Sequence, residues 1–207
     1  MNKLFLSAIV LCTIVANAQW QQTNGPIGSE IKCTAISGTD VFAGTDGGVF
    51  LSADTGKSWS AINTGLTNTN VQALAASGTN IFAGTDGGIF LSYNNASWTL
   101  VNNGLTNTDV KALTVSGTNI FAGTNGGGVF LSTTGSSWTE INTGLSDKVI
   151  LSLAASGTNI FAGTYNGGVF LSTNNGNSWA AINNGLTNTV VRTFAISGTT
   201  IFAGTSG

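Results

Sequence analysis

Phe-Ala-Gly-Thr begins at Phe42, Phe82, Phe121, Phe161 and Phe202, at spacings of 40, 39, 40 and 41 residues. Trp59, Trp98, Trp138 and Trp179 keep the same beat. A period of this length means that each unit is a small supersecondary element that buries its apolar surface against its neighbours. One unit, Val71 to Thr108, reads VQALAASGTN, IFAGTDGG, IFLSYNNA and SWTLVNNGLTNT. It holds four short runs rich in Val, Ile, Phe, Leu, Trp and Thr, each bounded by Gly, Asn, Ser or Asp, which is the punctuation of strands and turns. We call these runs A (VQALAAS), B (NIFAGT), C (GIFLS) and D (SWTLVN). Four strands per unit of about 40 residues predict an all-β chain folded as a β-propeller, one four-stranded blade per unit. A parallel β-helix also repeats strands and glycine turns, but on shorter rungs.

Within a blade, the B–C link is Asp46-Gly47, Asp86-Gly87, Asn125-Gly126 or Asn166-Gly167. Such pairs supply the positive φ values of a two-residue hairpin, so a tight turn with positive φ at these residues is expected. Phe42 and Phe50, with their counterparts, are expected between neighbouring blades, and Ala43 and Gly44 are small enough to let adjacent sheets approach.

Composition narrows the function classes. Charged residues are 7% of the chain against roughly 25% in an average globular domain. Eleven Phe and five Trp supply the core that a disordered chain lacks. With six Lys and Arg together and a net charge of −2, the basic footprint of a nucleic-acid binder is missing. There is no His, and the carboxylates are scattered, so neither a metal site nor a cofactor is expected.

The first 18 residues read as a secretory signal peptide. Lys3 is the positive start, Leu4 to Val15 the apolar run, and Ala16-Asn17-Ala18 the small-residue cleavage site. The run is too short for a membrane span. Leu11 before Cys12 is not the small residue a lipoprotein signal wants. Cleavage after Ala18 leaves a mature chain 19–207 with no membrane span and one cysteine, Cys33, which reads as a small buried hydrophobe. A secreted or cell-surface location follows.

The C–D link carries a phrase of its own. Ser52-Ala53-Asp54-Thr55-Gly56-Lys57-Ser58-Trp59 fits Ser-x-Asp-x-Gly-x-Ser/Thr-Trp and resembles the Asp-box, or bacterial neuraminidase repeat. Ser172-Thr173-Asn174-Asn175-Gly176-Asn177-Ser178-Trp179 is a second copy with Asn174 in place of Asp. The copies at Ser92, Asn94 and Trp98, and at Ser132, Thr134 and Trp138, are one residue shorter and lack the Asp. Such boxes occur in sialidases, other glycoside hydrolases, sortilin-type receptors and photosystem II stability/assembly factor-like propellers. In that family the box is a structural turn on the face opposite the usual active site. A short carboxylate or amide there accepts hydrogen bonds from turn N–H groups, and the Trp plugs the apolar side of the hairpin. Decay from Asp54 to Asn94, Thr134 and Asn174 suits a turn and not a catalytic group.

Strand alternation puts the D–A loops (Gly65-Leu66-Thr67-Asn68-Thr69 and its repeats) and the B–C turns on one face, and the boxes and A–B turns on the other. On the D–A/B–C face, the residues that break the repeat are Asp46, Asp86, Asn125, Tyr165, Asp109, Asp147 and Lys148, and these are the candidate binding residues. No catalytic residue is assigned. Sialidases hold their substrate carboxylate with three arginines, whereas this chain has Arg192 alone. A two-carboxylate glycosidase needs an acid and a base or nucleophile across a cleft, and every loop here is short. The expected function is non-catalytic binding or scaffolding of a protein or glycan, the alternative being part of an Asp-box glycoside hydrolase whose catalytic loops lie elsewhere.

Trp20-Gln21-Gln22-Thr23-Asn24-Gly25 resembles strand D and its exit loop, and the sequence stops at Gly207 inside the B–C turn of a fifth unit. Four complete blades plus partial strands are therefore expected, as part of a larger propeller. One further C strand of about eight residues could instead close a five-bladed ring.

Overall fold

A computed structural model describes Thr23, Gly25, Pro26 and residues 30–207. The signal segment and Trp20 to Gln22 lie outside the described residues. All regular elements among the described residues are strands, and they form four four-stranded antiparallel sheets and one two-stranded sheet. The first blade is β1 (Ile31–Ser37), β2 (Asp40–Thr45), β3 (Gly48–Ser52) and β4 (Ser60–Ala61). The second is β5 (Val71–Ser77), β6 (Asn80–Thr85), β7 (Gly88–Tyr93) and β8 (Trp98–Leu100). The third is β9 (Val110–Ser116), β10 (Asn119–Thr124), β11 (Gly128–Ser132) and β12 (Thr139–Glu140). The fourth is β13 (Ile150–Ser156), β14 (Asn159–Thr164), β15 (Val169–Ser172) and β16 (Ala180–Ala181). A fifth unit contributes β17 (Val191–Ser197) and β18 (Thr200–Thr205). Each complete sheet runs A-B-C-D in space as in sequence, and A strands of successive blades lie side by side. This is the predicted propeller of four complete blades plus terminal strands.

Period-2 alternation explains why the blades stack. In the second blade, Ile81, Ala83 and Phe90 face back to the first, with Val71 and Leu74. Phe82, Ile89 and Leu91 face forward to the third. Among the described residues, every apolar cluster is thus a junction between blades, and a blade has no core of its own. Phe42, Phe82 and Phe121 are no more than 1% exposed, each contributing about 1.5–3 kcal/mol of transfer free energy. Strand B can hold a Gly at this junction because the first A residue of the next blade leans on it. A Cβ on Gly44 would lie 2.6 Å from Val71, and on Gly84 2.7 Å from Val110.

The B–C turns depart from expectation. Positive φ falls on Gly48 (112°) and Gly88 (120°), one residue beyond the Asp-Gly pairs, and only Gly126 (104°) among the predicted pairs has it. The reason is a buried threonine at the end of strand B. Thr45 Oγ1 donates to Gly48 O (3.0 Å) and accepts from Gly47 N–H (3.0 Å), which stitches the turn without a left-handed pair. Thr85 does the same with Gly88 and Gly87.

Candidate functional site

The C–D turn is built from its serine outward. Ser52, fully buried, accepts from Gly56 N–H (2.7 Å) and donates to Asp54 Oδ1 (2.8 Å). Asp54 in turn accepts from Ser58 N–H (2.9 Å) and Ser58 Oγ (2.6 Å). The Ser58 hydroxyl and N–H, then the Ser52 hydroxyl, hold the Asp54 carboxyl down at about 2. In the fourth blade Asn174 Oδ1 takes the same bonds from Ser172 Oγ (2.8 Å) and Ser178 N–H (3.0 Å), and Gly176 N–H donates to Ser172 Oγ (2.8 Å). The shorter turns keep less. Gly135 N–H still donates to Ser132 (2.8 Å), with Thr134 Oγ1 3.2 Å from Ser136 Oγ. Ser92 donates to Ala96 O (3.3 Å), and Asn94 turns at φ 51°. All these bonds close the turn on itself.

The tryptophans reach further than a hairpin plug. Trp98, Trp138 and Trp179 are 3–5% exposed, and each indole N–H donates to the preceding blade, at Ile62 O (2.6 Å), Val101 O (2.7 Å) and Ile141 O (2.7 Å). Their backbone N–H groups add bonds to Thr64, Asn103 and Thr143 carbonyls. Each Trp therefore pins its blade to the one before. Trp59 is half-buried, and its indole donates to Gly56 O (3.2 Å) in its own turn.

On the opposite face, each D–A loop is tied to the next B–C turn. Asn68, Asn107, Asp147 and Asn188 accept the N–H two residues on, at 2.8–3.1 Å. A second asparagine, Asn63, Asn102, Asn142 or Asn183, bridges strand D to strand C. Its Oδ1 accepts from the first residue after the turn glycine (2.8 Å), and its amide donates to the glycine carbonyl before it. Sequence reasoning missed these residues, although an Asn two places before each Gly-Leu was there to find.

The candidates on this face fall into four sets. Asp147 accepts from three backbone N–H groups, Val149 (3.0 Å), Asn166 (2.7 Å) and Gly167 (2.9 Å). Burial raises its carboxyl, but those bonds outweigh it and the net shift is downward. Lys148 pairs with Glu140 (3.0 Å), whose carboxyl is lowered by that lysine and by Asn142. Asp46 and Tyr165 are exposed.

Asp86, Asp109 and Asn125 join two relays that cross blade boundaries. Lys32 Nζ donates to Asn70 Oδ1 (2.5 Å), and the Asn70 amide donates to Asp86 Oδ2 (3.0 Å). Asn68 donates to Asp86 Oδ1 (2.6 Å), and Asn70 first, then Asn68, lower its carboxyl. One blade on, Lys111 Nζ meets both Asp109 Oδ1 (2.8 Å) and Gln72 Oε1 (2.8 Å). The Gln72 amide donates to Asp109 Oδ1 (3.2 Å), and Asn125 Nδ2 to Asp109 Oδ2 (2.8 Å). Lys32, Asn70, Gln72 and Lys111 were not singled out from sequence. Their shared signal is a long polar side chain at or next to the start of strand A. Cys33, half-buried against the first junction, has its thiol pushed up to about 12 by burial.

No group of three or more Cys, Asp and Glu that could hold a metal ion occurs among the described residues. No helix among them is long and apolar enough to cross a membrane.

The family model of the DUF6242 beta propeller domain matches residues 89–203. No curated protein matches the sequence. Among solved structures, an ancestral GH74 enzyme is 25% identical, with a TM-score of 0.63 over 79% of this chain and 25% of that one. The extracellular domain of a one component system from B. thetaiotaomicron is 18% identical, with a TM-score of 0.74 over 89% of this chain and 27% of its own. YCF48 bound to D1 peptide is 14% identical, with a TM-score of 0.60 over 78% of this chain and 56% of its own. The chain spans about a quarter of the first two proteins' length. The propeller fold is thus shared with enzymes and with sensor domains alike.

Proposed function

For a chain that belongs to the DUF6242 beta propeller domain family, we propose non-catalytic binding or scaffolding outside the cytoplasm, through the D–A/B–C face. The observation that carries this reading is the pair of relays, Lys32–Asn70–Asp86 and Lys111–Gln72–Asp109–Asn125, which offer donors and acceptors in one polar strip over three blades. Each relay holds one lysine and one aspartate, so the strip is close to neutral. Its complement is a neutral polar ligand, either sugar hydroxyls or the amides of an extended peptide. A peptide ligand on the like fold of YCF48, and the extracellular placement of the B. thetaiotaomicron domain, agree with this reading. A signal peptide cleaved after Ala18 would deliver the chain there.

The likeness to a GH74 enzyme favours a second reading, part of a glycoside hydrolase. A general acid of that chemistry needs a raised carboxyl pKa. The hydrogen bonds at Asp86 and Asp147 push the opposite way, which supports the binding reading.

The test is a screen of the whole chain against glycan and peptide arrays, repeated with two variants. The expected result is a ligand whose affinity falls at least roughly tenfold with Asp86→Ala combined with Asp109→Ala, and is unchanged with Asp54→Asn. Turnover of any glycan would sink the non-catalytic reading.

A further inference from the structure

In every blade the A–B ladder skips one residue near the start of strand A, and the skipped residues are Lys32, Gln72, Lys111, Leu151 and Arg192 in turn. A bulge of this kind takes its extra side chain out of the strand's alternation and re-aims it. That is why Lys32, Gln72 and Lys111 reach the D–A/B–C face instead of a junction between blades. Two further places on this face recur from blade to blade, the residue before strand A and the residue after strand B. In the second blade the three places hold Asn70, Gln72 and Asp86, and in the third Asp109, Lys111 and Asn125. In the fourth they hold Val149, Leu151 and Tyr165, so all three lose their charged and amide groups together. Tyr165 N–H donates to Val149 O (3.0 Å), as Asn125 N–H donates to Asp109 O (2.9 Å), and Val149 also bridges to Asn125. The apolar step therefore continues directly from the relay of the third blade. Tyr165 is 47% exposed, and half-buried Leu151 belongs to none of the junction clusters among the described residues.

The backbone of this face is already engaged. The N–H groups of Asn125, Gly126, Gly128, Val149, Tyr165 and Gly167 all have acceptors within the chain. A peptide bound by strand addition needs free backbone groups at a sheet edge, so a ligand here is read by side chains. Those side chains suit a hydroxyl, which donates and accepts at one atom. Asp109 Oδ1 and Lys111 Nζ lie 2.8 Å apart, with side chains 29% and 28% exposed, and set an acceptor beside a donor. Asp109 takes three hydrogen bonds on about four lone-pair sites, and Lys111 uses two of its donors, so each keeps a free valence.

We propose that this strip takes a neutral pyranose chain, one ring lying with its C–H face on Tyr165 and a ring further along presenting hydroxyls to Asp109, Lys111 and Asn125. The proposal rests on the D–A/B–C face being the binding face, and it names the ligand class. An exposed tyrosine offers a rigid apolar face with a polar edge. A pyranose is built the same way, with C–H bonds gathered on its face and hydroxyls around its rim. Pairing of each relay lysine with an aspartate leaves no net charge to select an acidic sugar.

The test titrates the whole chain with neutral oligosaccharides cut from glucan, mannan and xylan, and with extended peptides of neutral sequence, followed by calorimetry and proton NMR. The expected result is a neutral oligosaccharide that binds with some of its C–H resonances shifted by an aromatic ring current. Tyr165→Ala should weaken that binding at least roughly tenfold and erase the shift, while Tyr165→Phe, which keeps the ring, should retain both. The Tyr165→Ala chain should keep the parent unfolding midpoint, because the side chain is exposed and its bond to Val149 is a backbone bond. Two results overturn this inference and leave the binding reading standing. One is an oligosaccharide that needs Asp86 and Asp109 yet is indifferent to Tyr165→Ala, and the other is a peptide held in preference to every sugar. Binding confined to acidic sugars overturns it as well. Binding of neither sugar nor peptide overturns it together with the binding reading.

Discussion

Gly144 and Gly185 occupy the same place in successive D–A loops, at φ 84° and 82°. Alanine at either carries the same left-handed cost of about 1–2 kcal/mol, which cancels in a comparison. What differs is the neighbour. A Cβ on Gly144 would lie closer than 3.0 Å to the carbonyl oxygen of Trp179, while on Gly185 it meets nothing within 4 Å. Trp179 cannot retreat freely, because its N–H is bonded to Thr143 O (2.9 Å) and its indole to Ile141 O (2.7 Å). Moving it strains one or both bonds, at about 1 kcal/mol each, and overpacks a junction, which costs about 1–3 kcal/mol. Gly144→Ala should therefore be less stable than Gly185→Ala by about 2 kcal/mol. With a urea slope of about 2 kcal/mol/M, that is a midpoint gap near ~1 M, read by circular dichroism. Equal midpoints with equal slopes would refute the idea that the tryptophans pin each blade to the one before.

Three further outcomes rest on the same geometry. Trp138→Ala should cost about 3–5 kcal/mol, and Trp138→Phe about 1–3 kcal/mol by leaving Val101 O unpaired, whereas half-buried Trp59→Ala should cost much less than Trp138→Ala in the same urea titrations. Asn142→Ala removes the acceptor for Val129 N–H and the donor to Gly127 O, and should lower stability by about 2 kcal/mol, with Asn142→Asp failing to rescue it. Asp54 is lowered to about 2, so its contribution is complete above about pH 4 and is lost as pH falls through about 2. The stability gap between the parent and Asp54→Asn should be constant above about pH 4 and change only below it, and a gap that is flat from pH 2 to pH 6 would contradict that assignment.

Much of the fold was legible because apolar alternation and Gly/Asn punctuation act within one unit. Strands A and B of the second unit fall on Val71–Ser77 and Asn80–Thr85 as read from sequence. Strand D, read from sequence as SWTLVN, is shorter in the structure: the edge strand is Trp98–Leu100, with one further backbone bond from Val101 N–H to Ile89 O (2.8 Å). The two details that escaped depend on other partners. Positive φ moved to Gly48 because the Thr45 hydroxyl, which no turn dipeptide encodes, supplies the stitching. The Trp98 indole crosses to Ile62, 36 residues back, and a repeat pattern does not reveal a bond between units. On the D–A/B–C face, departure from the repeat marked positions without marking their neighbours. Asp147 looks like Asp86 in sequence, yet it takes three backbone N–H groups, while Asp86 takes side-chain amides at the end of a relay.

The most direct test of the account is an amide-exchange footprint of the whole chain with and without a ligand recovered from the arrays. The account predicts slowed exchange at residues 68–72, 86–88, 107–111 and 125–128, and unchanged exchange at 52–58 and 172–178. A footprint on the C–D turns, with the D–A/B–C strip unaffected, would contradict it.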